Sequence, residues 1–164
     1  MKILHPDLFV NSLLDIPLVT LREKQIEALI FDLDNTVTEW NSHLLRDDVA
    51  GWFEMLRAQG FKACILSNNG EERVIKVARL LDIPYVHRAQ KPRRVGFEKA
   101  LALMGVSASQ TAVVGDQIFT DIWGGNRAGL YTILVRPLAW REFMGTKISR
   151  MAEYFVLRKI KKSS

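Results

Sequence analysis

The chain of 164 residues is 48% hydrophobic and 25% charged, with ten Gly and five Pro, a composition that suits one folded domain and excludes collagen-like, low-complexity and wholly disordered organisation. Its formal charge of +5 is unevenly placed: residues 136–164 hold eight Lys/Arg against two acids, a balance of +6, while residues 1–135 balance at −1. One cysteine, Cys64, excludes an internal disulfide framework, three scattered histidines offer no zinc-type cluster, and no apolar run approaches the roughly 20 residues of a membrane span.

In chain order, Ala28 to Leu33 reads as a buried strand that ends abruptly in Asp32-Leu33-Asp34-Asn35-Thr36. Asp47 and Asp48 start a helix whose Val49, Trp52, Phe53 and Leu56 recur at helical spacing until Gly60. Phe61 to Leu66 is a second strand ending in Ser67-Asn68-Asn69-Gly70, and Val74, Ile75, Ala78 and Leu81 mark the next helical face. Pro84 to Val86 is a short third strand, after which Pro92 suits the first turn of a helix that stops at Gly105. Thr111 to Val114 makes a fourth strand, a helix follows over Phe119 to Ala128, and Leu130 to Val135 is a fifth strand. This alternation predicts an α/β fold: a five-stranded parallel sheet with helices on both faces, its core over residues 28–135, within a single domain spanning the chain. Residues 136–164 read as a basic appendage.

In an open parallel sheet the C-terminal strand ends share one edge, where ligands bind. The polar residues gather there: Asp32 and Asp34 after the first strand, Ser67 and Asn68 after the second, Asp116 and Asp121 after the fourth, with Lys91 at the start of the helix after the third. Taken singly, each has an ordinary explanation. Ser67 and Asn68 suit a helix cap, Lys91 a surface position and Asp121 the first turn of a helix. Together, the ordered motifs DLDNT (32–36), SNN (67–69), KP (91–92) and GDQIFTD (115–121) resemble the haloacid dehalogenase (HAD) superfamily of phosphotransferases over about residues 28–135.

The chemistry can also be argued from the residues. Phosphoester hydrolysis needs an in-line nucleophile, a proton for the leaving oxygen, and cations around the phosphoryl group. Asp32, fixed at a strand end, suits the nucleophile; Asp34, two residues on, suits the acid that protonates the leaving group and then activates water. The HAD resemblance implies the same two roles. A carboxylate attacking an anionic phosphate is repelled by it, so a hard divalent cation with oxygen ligands is required, and Asp32 with Asp116 fits Mg²⁺ better than zinc. The resemblance adds the Asp34 backbone carbonyl as the third protein ligand. Ser67, Asn68 and Lys91 suit phosphate binding, with Lys91 supplying positive charge opposite the metal, and Asp121 orients either Lys91 or metal-bound water. Asn35 and Asn69 suit either phosphate contact or turn chemistry. Val37 to Arg46 is a candidate flap in which Trp40, His43 and Arg46 could touch substrate; Cys64 reads as a small core residue.

HAD enzymes acting on small metabolites commonly carry a cap domain, and this chain has room for one neither after Thr36 nor between Ser67 and Lys91. The brevity, the LDIP segment (14–17), Glu39-Trp40 after DLDNT, and the SNN and GDQIFTD motifs resemble the capless type III HAD branch called YqeG-like, related to mitochondrial phosphatidylglycerophosphate phosphatases. That resemblance implies hydrolysis of phosphatidylglycerophosphate through an aspartyl-phosphate; the alternative is a capless phosphatase of a soluble sugar phosphate, nucleotide or phosphoprotein. The N-terminal segment lacks the apolar stretch of a signal peptide, so a cytoplasmic protein is expected, with the inner face of an anionic membrane as a candidate surface. If Met144 to Lys162 is helical, Met144, Ile148, Met151 and Phe155 form one stripe beside Lys147, Arg150, Arg158 and Lys161. The stripe would face either a bilayer or the protein core. Without the motifs of an RNA-recognition module, nucleic acid is not an expected partner.

Overall fold

The computed structural model describes residues 2–39, 44–138 and 147–162. Its strands are β1 (Leu8–Val10), β2 (Ala28–Phe31), β3 (Lys62–Leu66), β4 (Tyr85–Val86), β5 (Thr111–Gly115) and β6 (Tyr131–Val135). The helices are α1 (Leu18–Glu23), α2 (Asp47–Ala58), α3 (Glu71–Leu81), α4 (Arg94–Met104), α5 (Trp123–Ala128) and α6 (Lys147–Lys162). All strands are parallel, in the order β1-β6-β5-β2-β3-β4. The sheet therefore has six strands, against the five expected. The addition is β1, an edge strand of half-buried residues paired through Leu8, Phe9 and Val10 with Ile133, Leu134 and Val135. Asp7 locks that edge: its carboxylate accepts from the Thr132 N–H at 2.8 Å and its own N–H donates to the Thr132 carbonyl.

Alternation along β2 explains why helices cover both faces. Leu29 and Phe31 point into one cluster, where the Phe31 ring meets Trp52 and Phe53 of α2 edge-on at 5.8 and 4.8 Å. Ala28 and Ile30 point into the other, with Cys64, Val113 and the α4 residues Phe97 and Ala100. Burial pushes the Cys64 thiol up to about 12, which leaves it an inert core group. The expected helix over Phe119–Ala128 begins earlier, as a π-helical turn over Ile118–Ile122 that runs into α5. The helix expected to begin at Pro92 starts at Arg94, which leaves Lys91 in the preceding loop.

From the central β2 the chain winds outward through β3 and β4, then crosses back to build β5 and β6 on the other side. That reversal opens a crevice at the C-terminal ends of β2 and β5. Register sets what lies there. Phe31 pairs with both Ile65 and Val114, so Asp32, Ser67 and Asp116 follow within two residues of one level.

Helix α6 packs its 153/156/157 face on the domain: Val156 and Leu157 meet Ile118, Ile122 and Leu134, and Glu153 is buried beside them. Phe155, of the stripe drawn from the sequence, is 64% exposed and faces away from this packed side. Met144 and the side chains of Lys147, Ile148, Arg150 and Met151 lie outside the described residues. Of the expected flap, Val37 and Thr38 are buried and Arg46 pairs with Asp48 at the start of α2, while Trp40 and His43 lie outside the described residues.

Close helix packing at Gly124 yields a stability test. A methyl there would sit 2.6 Å from the Phe97 ring and 3.1 Å from the Pro92 Cα, whereas one at Gly51, on the exposed side of α2, meets nothing within 4 Å. Gly124→Ala is expected to destabilise the protein by about 1–3 kcal/mol through overpacking. Gly51→Ala is expected to stabilise it by up to about 1 kcal/mol through helix propensity. Urea unfolding of the two variants should move the midpoint in opposite directions.

Candidate active site

The crevice is organised around a buried ammonium. Lys91 Nζ donates to Asp32 Oδ1 and to Asp121 Oδ1, each at 2.7 Å, and the Lys91 side chain is 3% exposed. Burial disfavours its charge, but Asp121 and then Asp32 outweigh that and hold the ammonium firmly protonated, above its ordinary value. Asp121 lies fully buried, with its second oxygen accepting from the Gln117 N–H at 3.2 Å. Burial first, and the Asp32 charge second, push its carboxyl up to about 7 against the opposing pull of Lys91.

The loop before α4 is fastened by Asn68. Its side-chain oxygen accepts from the Lys91 N–H at 2.8 Å and its amide donates to the Lys91 carbonyl at 3.3 Å. Both polar ends of the Asn68 side chain thus grip the Lys91 backbone and position the ammonium. Ser67, buried at the end of β3, accepts from the Asn69 N–H at 3.1 Å. Neither residue caps α3, whose N-cap position is Gly70.

Asp34 is held from the other side. Asn69 donates its amide to Asp34 Oδ2 at 2.6 Å, and the Arg73 guanidinium, projecting from the first turn of α3, pairs with Asp34 Oδ1. The tight turn that carries Asp34 brings the N–H groups of Val37 and Thr38 onto the Leu33 carbonyl and requires a left-handed Asn35. Asn35 itself is 1% exposed, and neither polar atom of its side chain has a hydrogen-bond partner. Arg73 is not singled out in the sequence reading, which gives Asn69 only phosphate contact or turn chemistry, not the bond to Asp34. The available signal was an arginine in a helical first turn, where the dipole favours acids.

Asp32, Asp116 and Asp121 place carboxylate oxygens within 4.8 Å of one another. Three hard oxygen donors, with no His or Cys among the described residues of the cluster, fit a divalent cation of the Mg²⁺ type. Asp121 spends its oxygens on Lys91 and Gln117, so Asp32 and Asp116 are the better direct ligands. Gly115 is required for this arrangement, since a methyl there would overlap the Asp121 carboxylate.

A family model for haloacid dehalogenase-like hydrolases matches residues 38–129. The chain is also 37% identical over 161 residues to the probable phosphatase YqeG of Bacillus subtilis, covering 98% of this chain and 94% of that protein. The chain belongs to the haloacid dehalogenase-like hydrolase family. It is a phosphatase of that family, and no cap domain is evident among the described residues. It is 28% identical to the chloroplastic/mitochondrial phosphatidylglycerophosphate phosphatase 1 of Arabidopsis thaliana over 96% of this chain and 45% of that one. With the chloroplastic phosphatidylglycerophosphate phosphatase 1 of Chlamydomonas reinhardtii it shares 33% identity over 82% of this chain and 54% of the relative. The chain spans about half the length of these two relatives. Among solved structures, the cobalt-bound deoxy-D-mannose-octulosonate 8-phosphate phosphatase of Haemophilus influenzae has the same fold, with a TM-score of 0.57 at 18% identity over 68% of this chain and 69% of that one.

The ammonium bridge is open to a thermodynamic test. Lys91→Met leaves the fully buried Asp121 without its counter-charge and should cost about 3–5 kcal/mol. Adding Asp121→Leu removes the stranded charge and should recover much of that loss. Urea denaturation of the single and double variants checks the sign; equal destabilisation by the two would show that the pair is not coupled.

Proposed function

We propose that this phosphatase is a Mg²⁺-dependent phosphomonoesterase that works through an aspartyl-phosphate on Asp32, and that its substrate is phosphatidylglycerophosphate. The observation that carries the reading is the convergence of Asp32, the doubly held Asp34, Lys91 and Asp116 on one sheet edge. Asp32 attacks the phosphorus through Oδ2, since Oδ1 is engaged by Lys91. The bond from phosphorus to the leaving oxygen breaks as Asp34 gives that oxygen a proton. Asp34, now a carboxylate, takes a proton from water, whose oxygen attacks phosphorus and releases the Asp32 carboxylate and inorganic phosphate. Ser67 and Lys91 hold the phosphoryl oxygens. A cation held by Asp32, Asp116 and the Asp34 carbonyl would neutralise the charge that otherwise keeps carboxylate and phosphate apart.

The lipid substrate is supported by the names of the two eukaryotic relatives and by an uncapped edge that a bulky, surface-bound molecule can reach. No helix among the described residues is long and apolar enough to cross a membrane. On α6, Tyr154 and Phe155 are more than half exposed beside the exposed Arg158 and Lys159, a combination suited to an anionic bilayer surface at the inner face of a membrane.

Asp32→Asn is expected to abolish hydrolysis with the fold intact, as judged by circular dichroism. Asp34→Asn should lower kcat by about 10²–10⁴, less with nitrophenyl phosphate than with an alkyl phosphate, because only the poorer leaving group needs the proton. Chelation should stop turnover and Mg²⁺ restore it. Phosphate release from phosphatidylglycerophosphate in vesicles, set beside sugar phosphates, nucleotides and a phosphopeptide, tests the substrate; faster turnover of any soluble ester would refute the lipid reading.

A further inference from the structure

A groove of about 590 Å³ opens beside the catalytic centre and shares Asp116 with it. Its floor is β6 and the residues just after it, one wall is Phe9 of β1, and the other is α6. The size is that of an ordinary small-molecule site. Its lining combines two properties. Phe9, Leu134 and Leu157 make an apolar surface, while Arg136, Arg158 and Lys161 bring three cationic side chains to the same space.

Among the described residues none of those cations is ion-paired to a carboxylate, and none is hydrogen-bonded to Asp32, Asp34, Ser67 or Lys91. Lys161 is held by the Phe9 ring, its Nζ 5.9 Å from the centroid. The one acid of α6 in the groove, Glu153, is 3% exposed and turned inward, accepting from the Ile118 N–H at 3.0 Å and the Phe119 N–H at 3.5 Å. The groove is thus built for an anion with carbon attached, at a place set apart from the Lys91 and Ser67 side where the scissile phosphate binds.

We propose that this groove is the leaving-group site, and that it selects substrates carrying a second phosphate, a phosphodiester a few bonds from the phosphomonoester. Arg136, Arg158 and Lys161 bind the diester oxygens, and the connecting carbon skeleton lies on Phe9, Leu134 and Leu157. The inference rests on the assignment of Asp32 and Asp116 to phosphomonoester hydrolysis. It concerns the soluble head of the substrate, so it does not depend on membrane contact by α6.

The test uses the full chain and no vesicles. Two substrates are compared: glycerol 3-phosphate, which has only the monoester, and the deacylated glycerophosphoglycerol phosphate head group, which adds the diester. Wild type is expected to prefer the second by about 10- to 100-fold in kcat/KM, as charge-assisted hydrogen bonds imply. The variant Arg136→Gln/Arg158→Gln/Lys161→Gln should bring that ratio close to one, chiefly through KM. The single exposed change Arg158→Gln should lower it partway and covers the case in which the triple variant does not fold. A binding arm needs no turnover: calorimetry should detect glycerophosphoglycerol binding to wild type and a loss of at least about tenfold in the triple variant. No preference in wild type, a preference retained in the variants, or binding of inorganic phosphate as tight as that of the diester and equally weakened would overturn the proposal. Diester binding lost in the variant, with neither ester hydrolysed by wild type, would instead uphold the groove and refute the catalytic reading.

Discussion

One ammonium between two carboxylates holds the catalytic edge together. The three groups come from the end of β2, the loop before α4 and the π-helical turn after β5. With Lys91 in place, Asp121 can be buried completely and Asp32 can stand beside Asp116 without the repulsion of bare neighbouring acids. The supporting contacts serve that arrangement: Asn68 pins the Lys91 backbone, and Gly115 lets the Asp121 carboxylate lie against the strand. Catalytic geometry and local stability are therefore one property here.

Much of this was legible in the sequence, because the parallel strands announce themselves as apolar runs and each ends in its polar cluster. Asp32, Asp34, Ser67, Lys91, Asp116 and Asp121 all fall on one edge, where the β/α alternation puts them. What the sequence did not reveal has physical reasons. β1 is three half-buried residues whose partner lies far along the chain, too short to show a period. Asn69 and Arg73 have ordinary local explanations, as turn and helix residues, until the fold brings both against Asp34. The inward face of α6 was hidden for a related reason. An acid on the inward face is unfavourable by hydropathy, yet Glu153 is buried because it satisfies the Ile118 and Phe119 N–H groups.

The division of labour between the two ends of the site is also physical. The β2, β3 and β5 ends supply charge balance and, in the proposed mechanism, phosphoryl contacts from central strands. The groove proposed to meet the rest of a substrate is assembled from β1, the segment after β6 and α6, toward one edge of the sheet.

The position of β1 has a consequence for biogenesis. Its anchor, Asp7, bonds to Thr132, 125 residues later. At roughly 5–20 residues per second, a ribosome takes roughly 6–25 s to make the strand that β1 needs. During that time β1 has no edge to join, while β2, β3 and β5 can already pair with one another. This early segment is therefore among the last to dock, and it closes the sheet over a loop that spans most of residues 7–132.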